Sequence, residues 1–283
     1  MTANKKYMVY DTNGKDAEAV AAYLKKLGFN NVATYNANEL VKETTLVSYA
    51  NYDLWIPAEV VKNISDHVVN GTDLSTVAKN VVKGDDIVLL DVSWGTVEES
   101  GFLDGHVPGS VHVNTDDYET PKVYIQEKDE PYRSEWRLNT DEELLKLAAN
   151  SGITKDSCVI ITGYEPMATT RMGIILKYLG CDNVHVMSEA LVGWDALGYA
   201  YETGERAPKA VESFGVTEPQ NPDLIDTIEE AEAKVGTAGY QLIDTRTIEE
   251  WNGTSSGYGY HDLAGRIEGT VHSPSGVGYS SSM

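Results

Sequence analysis

Ile87-Val88-Leu89-Leu90-Asp91-Val92, with Gly105–His112 (GHVPGSVH) opening fourteen residues after Asp91, is the stretch on which the fold turns. A short aliphatic run ending in aspartate has the length and composition of a buried strand. The pattern recurs near the far end of the chain as Gln241-Leu242-Ile243-Asp244-Thr245-Arg246, followed by Gly265–His272 (GRIEGTVH). Both octets carry Gly at positions one and five, Val or Ile at three, Val at seven and His at eight. The second copy spaces Asp from Gly by 21 residues, and its Gly-, Ser- and Tyr-rich insert Gly253–Tyr260 reads as a loop.

A second pair of segments repeats in the same way. Tyr7-Met8-Val9-Tyr10-Asp11 and Val159-Ile160-Ile161-Thr162-Gly163 are short strand candidates. An amphipathic helix follows each, with Ala17, Val20, Ala21, Leu24 and Leu27 on one face of the first. Ile174, Ile175, Tyr178 and Leu179 form the equivalent face of the second. Asp11 to Gly28 and Gly163 to Gly180 both span 17 residues, and both glycines sit where a helix stops. Asn31-Val32 and Asn183-Val184 then open further strands. Capping boxes at Thr140-Asp141-Glu142-Glu143 and Thr227-Ile228-Glu229-Glu230 start two more helices, the first burying Leu144, Leu145, Leu147 and Ala148. Strands alternating with helices predict an α/β fold with a mainly parallel central sheet flanked by helices.

Composition narrows the function classes. The chain has 283 residues, 22 Lys+Arg and 44 Asp+Glu, a formal net charge of −22. Its length suits about two ordinary domains. The acidic excess argues against nucleic acid or an anionic membrane surface as partner. No run of apolar residues is long enough for a transmembrane helix, and Met1–Tyr10 lacks the apolar region of a signal peptide. A leader lost from the N-terminus would leave the same picture, so the compartment stays open. Two cysteines, Cys158 and Cys181, are too few for a disulfide framework or a Cys-rich zinc site. No metal and no cofactor is expected.

LLDV with GHVPGSVH, then VIITGYEPMATTR, LKYLGCDNVHV and Gly193-Trp194, resembles a rhodanese-like domain. The segment from Gln241 to His272 is similar to the last domain of three-domain thiosulfate sulfurtransferases. The resemblance implies one complete domain over 81–210. It makes 1–80 the second half of a preceding domain plus linker, and 211–283 the first half of a following one, as if the array were cut at both ends. Contacts with the absent halves are then expected.

The activity implied is transfer of sulfane sulfur from a small thiosulfate-type anion by way of a cysteine persulfide. The nucleophile of such enzymes is a thiolate held by backbone N–H groups between a strand end and a helix N-terminus. The equivalent positions here are Gly163 and Asp11, so the chain is expected to be inactive alone. Cys158 and Cys181 fall at the opposite end of the strand and of the helix, and read as small structural thiols. The loop Gly163, Tyr164, Glu165, Met167, Ala168 and Thr169 is weighed as an anion site against a closed loop, because Glu165 brings negative charge and Pro166 removes a donor. Asp91 and Asp244 match the family's loop-bracing aspartate, and a strand-end aspartate capping a turn explains them equally well. Arg246 matches the basic residue of Asp-x-Arg and could face a sulfur donor; Ser93 replaces it in the middle domain. The family's Asp-Gly-Gly is Ser188-Glu189-Ala190. His112 and His272 read as structural histidines, and His106 as part of a turn. The alternative function is a non-catalytic binding or scaffold module.

Overall fold

The computed structural model describes residues 5–11, 15–37, 54–125, 133–257, 259 and 263–274. Part of the Gly253–Tyr260 insert and the chain after residue 274 lie outside them. Two compact units divide between Tyr52 and Asp53.

In the first unit, strand β1 (Tyr7–Asp11) leads through helix α1 (Lys15–Lys26) to strand β2 (Val32–Asn36). The strands pair in parallel, from Tyr7 opposite Val32 to Asp11 opposite Asn36. Gly28 turns the chain after α1 at φ 91°, a backbone state that costs glycine little. Of the five apolar positions expected on one face of α1, Ala17 and Ala21 are buried and Leu24 is half-buried, but Val20 and Leu27 are exposed. Two strands are too narrow to cover a full helical stripe.

The second unit is built on a five-stranded, wholly parallel sheet. Its strands are β3 (Trp55–Ile56), β4 (Ile87–Ser93), β5 (Ser110–Asn114), β8 (Cys158–Thr162) and β9 (Val184–Met187), in the order β3-β9-β8-β4-β5. A separate antiparallel hairpin joins β6 (Glu119–Ile125) to β7 (Arg133–Leu138). Successive side chains of a strand point to opposite faces, and both faces of this sheet are covered. Leu90, Val92, Val159 and Ile161 pack with helices α4 (Asp141–Asn150) and α5 (Pro166–Leu179) on one side. Leu89, Cys158 and Ile160 pack with α2 (Ala58–Asn70), α3 (Thr76–Val81) and α6 (Ala190–Ala196) on the other. That double burial is why these strands read as unbroken apolar runs.

The sequence reading opens this domain at residue 81, whereas the sheet takes its edge strand from Trp55–Ile56 and its second core from α2 and α3. A two-residue strand carries no readable period, so only its pairing with β9 reveals it. The Thr140 capping box is present in full, and α4 buries Leu144, Leu145, Ala148 and Ala149, with Leu147 half-buried. In α5, Ile175 and Leu179 are buried while Ile174 faces outward.

The chain then runs to α7 (Ile228–Lys234), β10 (Ile243–Asp244), α8 (Ile248–Asn252) and β11 (Val271–His272). The Thr227 capping box is complete. Strands β10 and β11 pair in parallel, Ile243 opposite Val271. That register matches Leu90 opposite Val111 in the complete sheet.

Candidate functional site

Ligands of open α/β sheets bind beyond the carboxyl ends of the strands. At that end of β8 stands Gly163. A Cβ added there would sit 2.4 Å from the Val92 carbonyl oxygen and 3.0 Å from Thr169 Cγ2, at φ +153°. The backbone is thus closed down onto the space a nucleophile's side chain would need. The Leu191 N–H donates to Gly163 O at 3.1 Å, tying the loop to the start of α6.

The helix N-terminus behind this loop is already occupied. Glu165 is the N-cap of α5, and its Oε1 accepts from Met167 N at 3.3 Å. Thr169 N turns inward to Glu165 O, and Thr169 and Thr170 hydroxyls donate to Pro166 O. Asp11, the other position the sequence reading compares with a nucleophile, behaves alike: its Oδ2 accepts from Ala17 N at 2.7 Å in the first turn of α1. In both loops a carboxylate of the chain itself takes a donor that a thiolate or bound anion would need.

Asp91 lies buried one strand away, at the end of β4, opposite His112 of β5 and Thr162 of β8. Its Oδ1 accepts from Ser93 Oγ at 3.3 Å, and Ser93 Oγ lies 3.1 Å from His112 Nε2. The serine proton is directed at Asp91, so the His112 Nε2–H is the donor on the other side. Burial pushes the Asp91 carboxyl up to about 7, against a smaller downward pull from Ser93. Burial also lowers His112, which Glu98 partly counteracts. Sequence reasoning placed Asp91 at a strand end but missed this chain of three. The signal was there: pairing Leu90 with Val111 sets Asp91 against His112.

Asp244 occupies the matching position near the C-terminal end and has the opposite chemistry. Arg246 Nη2 is 2.6 Å from Asp244 Oδ2 and its Nε is 3.0 Å from Oδ1. The Arg246 hydrogen bond and charge hold the carboxyl below the usual range. Arg246 Nη2 also donates to Gly265 O, so the guanidinium ties Asp244 to the distant Gly265 segment. His272 Nε2 meets Arg246 O at 2.9 Å and its ring stacks on Trp251. Leu242, Ile243, Leu263 and Ile267 border an open cleft of about 570 Å³ beside these residues.

His106 is more than a turn residue. It is fully buried, its Nδ1 lies 2.9 Å from Phe102 O, and its ring stacks on Phe102 at 3.7 Å. Glu202 closes over it, accepting from Gly109 N and from Arg206. Glu189 and Ala190 hold φ of 63° and 51°. A side chain in that region costs about 1 kcal/mol. Glu189→Gly is therefore expected to raise stability by about 0.5–1 kcal/mol in urea unfolding; a loss would show that the Glu189 side chain makes a compensating contact.

Cys158 and Cys181 are both buried, and burial pushes their thiols up to about 11 and about 12. Neither is poised as a nucleophile. Native protein at pH 8 should react with a disulfide reagent at least ~100-fold more slowly than urea-unfolded protein, because only transient opening exposes the thiols. Among the described residues no group of three or more His, Cys, Asp or Glu could hold a metal ion, and no helix is long and apolar enough to cross a membrane.

Comparison with known proteins fits this geometry. The family model described as "Rhodanese-like domain" matches residues 74–197. Thiosulfate sulfurtransferase YnjE of Escherichia coli (strain K12) is 25% identical over 258 residues, covering 91% of this chain and 54% of that protein. Thiosulfate sulfurtransferase of Gallus gallus is 24% identical over 193 residues, covering 66% of this chain and 62% of that protein. Among solved structures, an anaerobic ergothioneine biosynthesis enzyme from Chlorobium limicola superposes with a TM-score of 0.81 at 22% identity, over 98% of this chain and 64% of that one. That likeness shows the fold. The chain thus spans about half the length of the first of these relatives. The five-stranded parallel sheet and the match over residues 74–197 together identify a rhodanese-like domain within the chain.

Proposed function

We propose that this chain belongs to a protein that moves sulfane sulfur from a thiosulfate-type donor through a cysteine persulfide, and that the chain itself does not carry the persulfide. The observation that carries this is the pair of nucleophile-equivalent loops. One holds Gly163 pressed on Val92 O and the other holds Asp11, and each has a carboxylate at its helix N-terminus. Residues 54–205 are then a non-catalytic rhodanese-like domain.

The flanking segments support the rest of the reading. Residues 217–274 stand as the first half of a further domain. Ile243, Leu263, Ile267 and Val271 are exposed there, on the sheet and cleft that a following strand–loop–helix half would cover. Residues 5–37 stand as the second half of a preceding one, with Met8, Tyr10, Val20, Tyr23 and Leu27 exposed. Arg246 and Asp244 brace the turn beside the nucleophile loop of that further domain, and contacts with the complementary halves bury these faces.

A thiosulfate-to-cyanide assay tests the proposal. The chain alone should yield no thiocyanate above blank. The protein of the complete coding sequence should yield it and lose about 100-fold in kcat/KM on Arg246→Ala. Turnover by the chain that vanishes with Cys158→Ser or Cys181→Ser would defeat the assignment. A complete protein without turnover would favour the second reading, a binding or scaffold module, for which the self-capped Glu165 loop speaks.

A further inference from the structure

The loops at the carboxyl ends of β4, β8 and β9 form the face that in a sulfurtransferase meets substrate. In this domain their chemistry is inverted. Residues 94–99, 163–169 and 188–198 carry Glu98, Glu99, Glu165, Glu189 and Asp195 and not one Lys or Arg. The same three segments hold a concentration of exposed large apolar side chains: Trp94 at 66%, Tyr164 at 61%, Met167 at 71% and Val192 at 65%. These belong to neighbouring strand ends in the order β9-β8-β4, and Leu191 N to Gly163 O links two of the segments directly. Tyr201 fastens the rim by donating to Asp195 Oδ1.

We propose that this face docks a protein segment rich in Lys or Arg with interspersed apolar side chains. The assignment stands apart from whether sulfur is transferred elsewhere in the protein. Charge complementarity selects the partner. An anion would meet five carboxylates and a helix N-terminus already capped by Glu165, so small anions, nucleic acid and acidic membranes are all repelled. A simple polycation would match the charge and leave these apolar side chains in water. Exposed apolar side chains gathered within a polar rim are the ordinary anatomy of a protein-binding patch, with the large aromatic side chains as anchors.

The test uses the full chain and two synthetic probes of equal charge. One is a peptide of seven lysines interspersed with tyrosine and leucine, and the other is seven lysines interspersed with serine. Affinities are read by fluorescence anisotropy. The mixed peptide should bind at least about tenfold tighter than the lysine–serine peptide. Trp94→Ser with Met167→Ser should abolish that difference, while Val77→Ser with Leu224→Ser, also exposed but elsewhere, should leave it intact. Glu165→Gln with Glu189→Gln should weaken both peptides and flatten the salt dependence. Equal affinity for both peptides, or a difference that survives Trp94→Ser with Met167→Ser, would reduce the effect to general attraction by an acidic surface and overturn the proposal. A dimer in light scattering that Trp94→Ser with Met167→Ser dissociates would put a second copy on the face and overturn it as well.

Discussion

Asp91→Asn is expected to stabilise the rhodanese-like domain at pH 8 by about 4 kcal/mol and to leave it nearly unchanged at pH 4. The reason is local. Asp91 is buried with a serine hydroxyl as its hydrogen-bond donor, and its carboxyl sits at about 7 rather than near its unfolded value of 3.8. A carboxyl raised on folding contributes stability that is fully present below the unfolded value and is lost as pH climbs through the folded one. The window therefore runs from about pH 4 to pH 7. Asparagine keeps an acceptor for Ser93 and removes the charge. Urea unfolding of wild type and variant from pH 4 to pH 8, followed by the buried Trp194, measures the gap. A gap that does not widen with pH would mean that Asp91 is ionised and paired in the folded state. Ser93→Arg is a second probe, since it rebuilds the Asp-x-Arg pair seen at Asp244 and Arg246, where the carboxyl is instead held low.

Gly163→Cys puts a thiol at the position that the proposed function equates with a nucleophile, and it is expected to cost about 3 kcal/mol of stability without producing sulfur transfer. The new Cβ would meet a backbone oxygen at 2.4 Å, and a strand carbonyl cannot swing aside as a flexible side chain does. The thiol would also lie beside Glu165, whose charge opposes thiolate formation. Denaturant midpoints and thiocyanate production on the purified variant decide the matter. Turnover at wild-type stability would show that the loop opens easily and that only the sulfur atom is missing.

Much of this site was legible in the residues themselves. The strand–glycine octets, the equal spacing from Asp11 to Gly28 and from Gly163 to Gly180, and the capping boxes all depend on local chemistry, and local chemistry is written in order along the chain. The face of α1 was read too wide, because periodicity tells which residues could be covered and not how much sheet is there to cover them. The edge strand Trp55–Ile56 left no trace, being shorter than any period. The Asp91–Ser93–His112 chain was missed for a related reason. It joins side chains of two strands, and their register is a property of the sheet. The sequence offers Arg246 as a residue that could face an anion; its contacts with Asp244 and Gly265 O depend on where the fold brings those groups.

The sequence by itself determined the α/β class, the likeness of the middle segment to a rhodanese-like domain, the absence of a thiol at Gly163 and Asp11, and the strongly acidic composition. Each follows from residue identity and spacing alone. Only the tertiary structure decided that a side chain at Gly163 would meet Val92 O, that Asp91 is buried beside a serine where Asp244 has an arginine, and that Trp94, Tyr164, Met167 and Val192 stay exposed near neighbouring strand ends. Those facts rest on distances between segments far apart in sequence. Burial, not composition, sets what a carboxylate or a tryptophan does at such a meeting point.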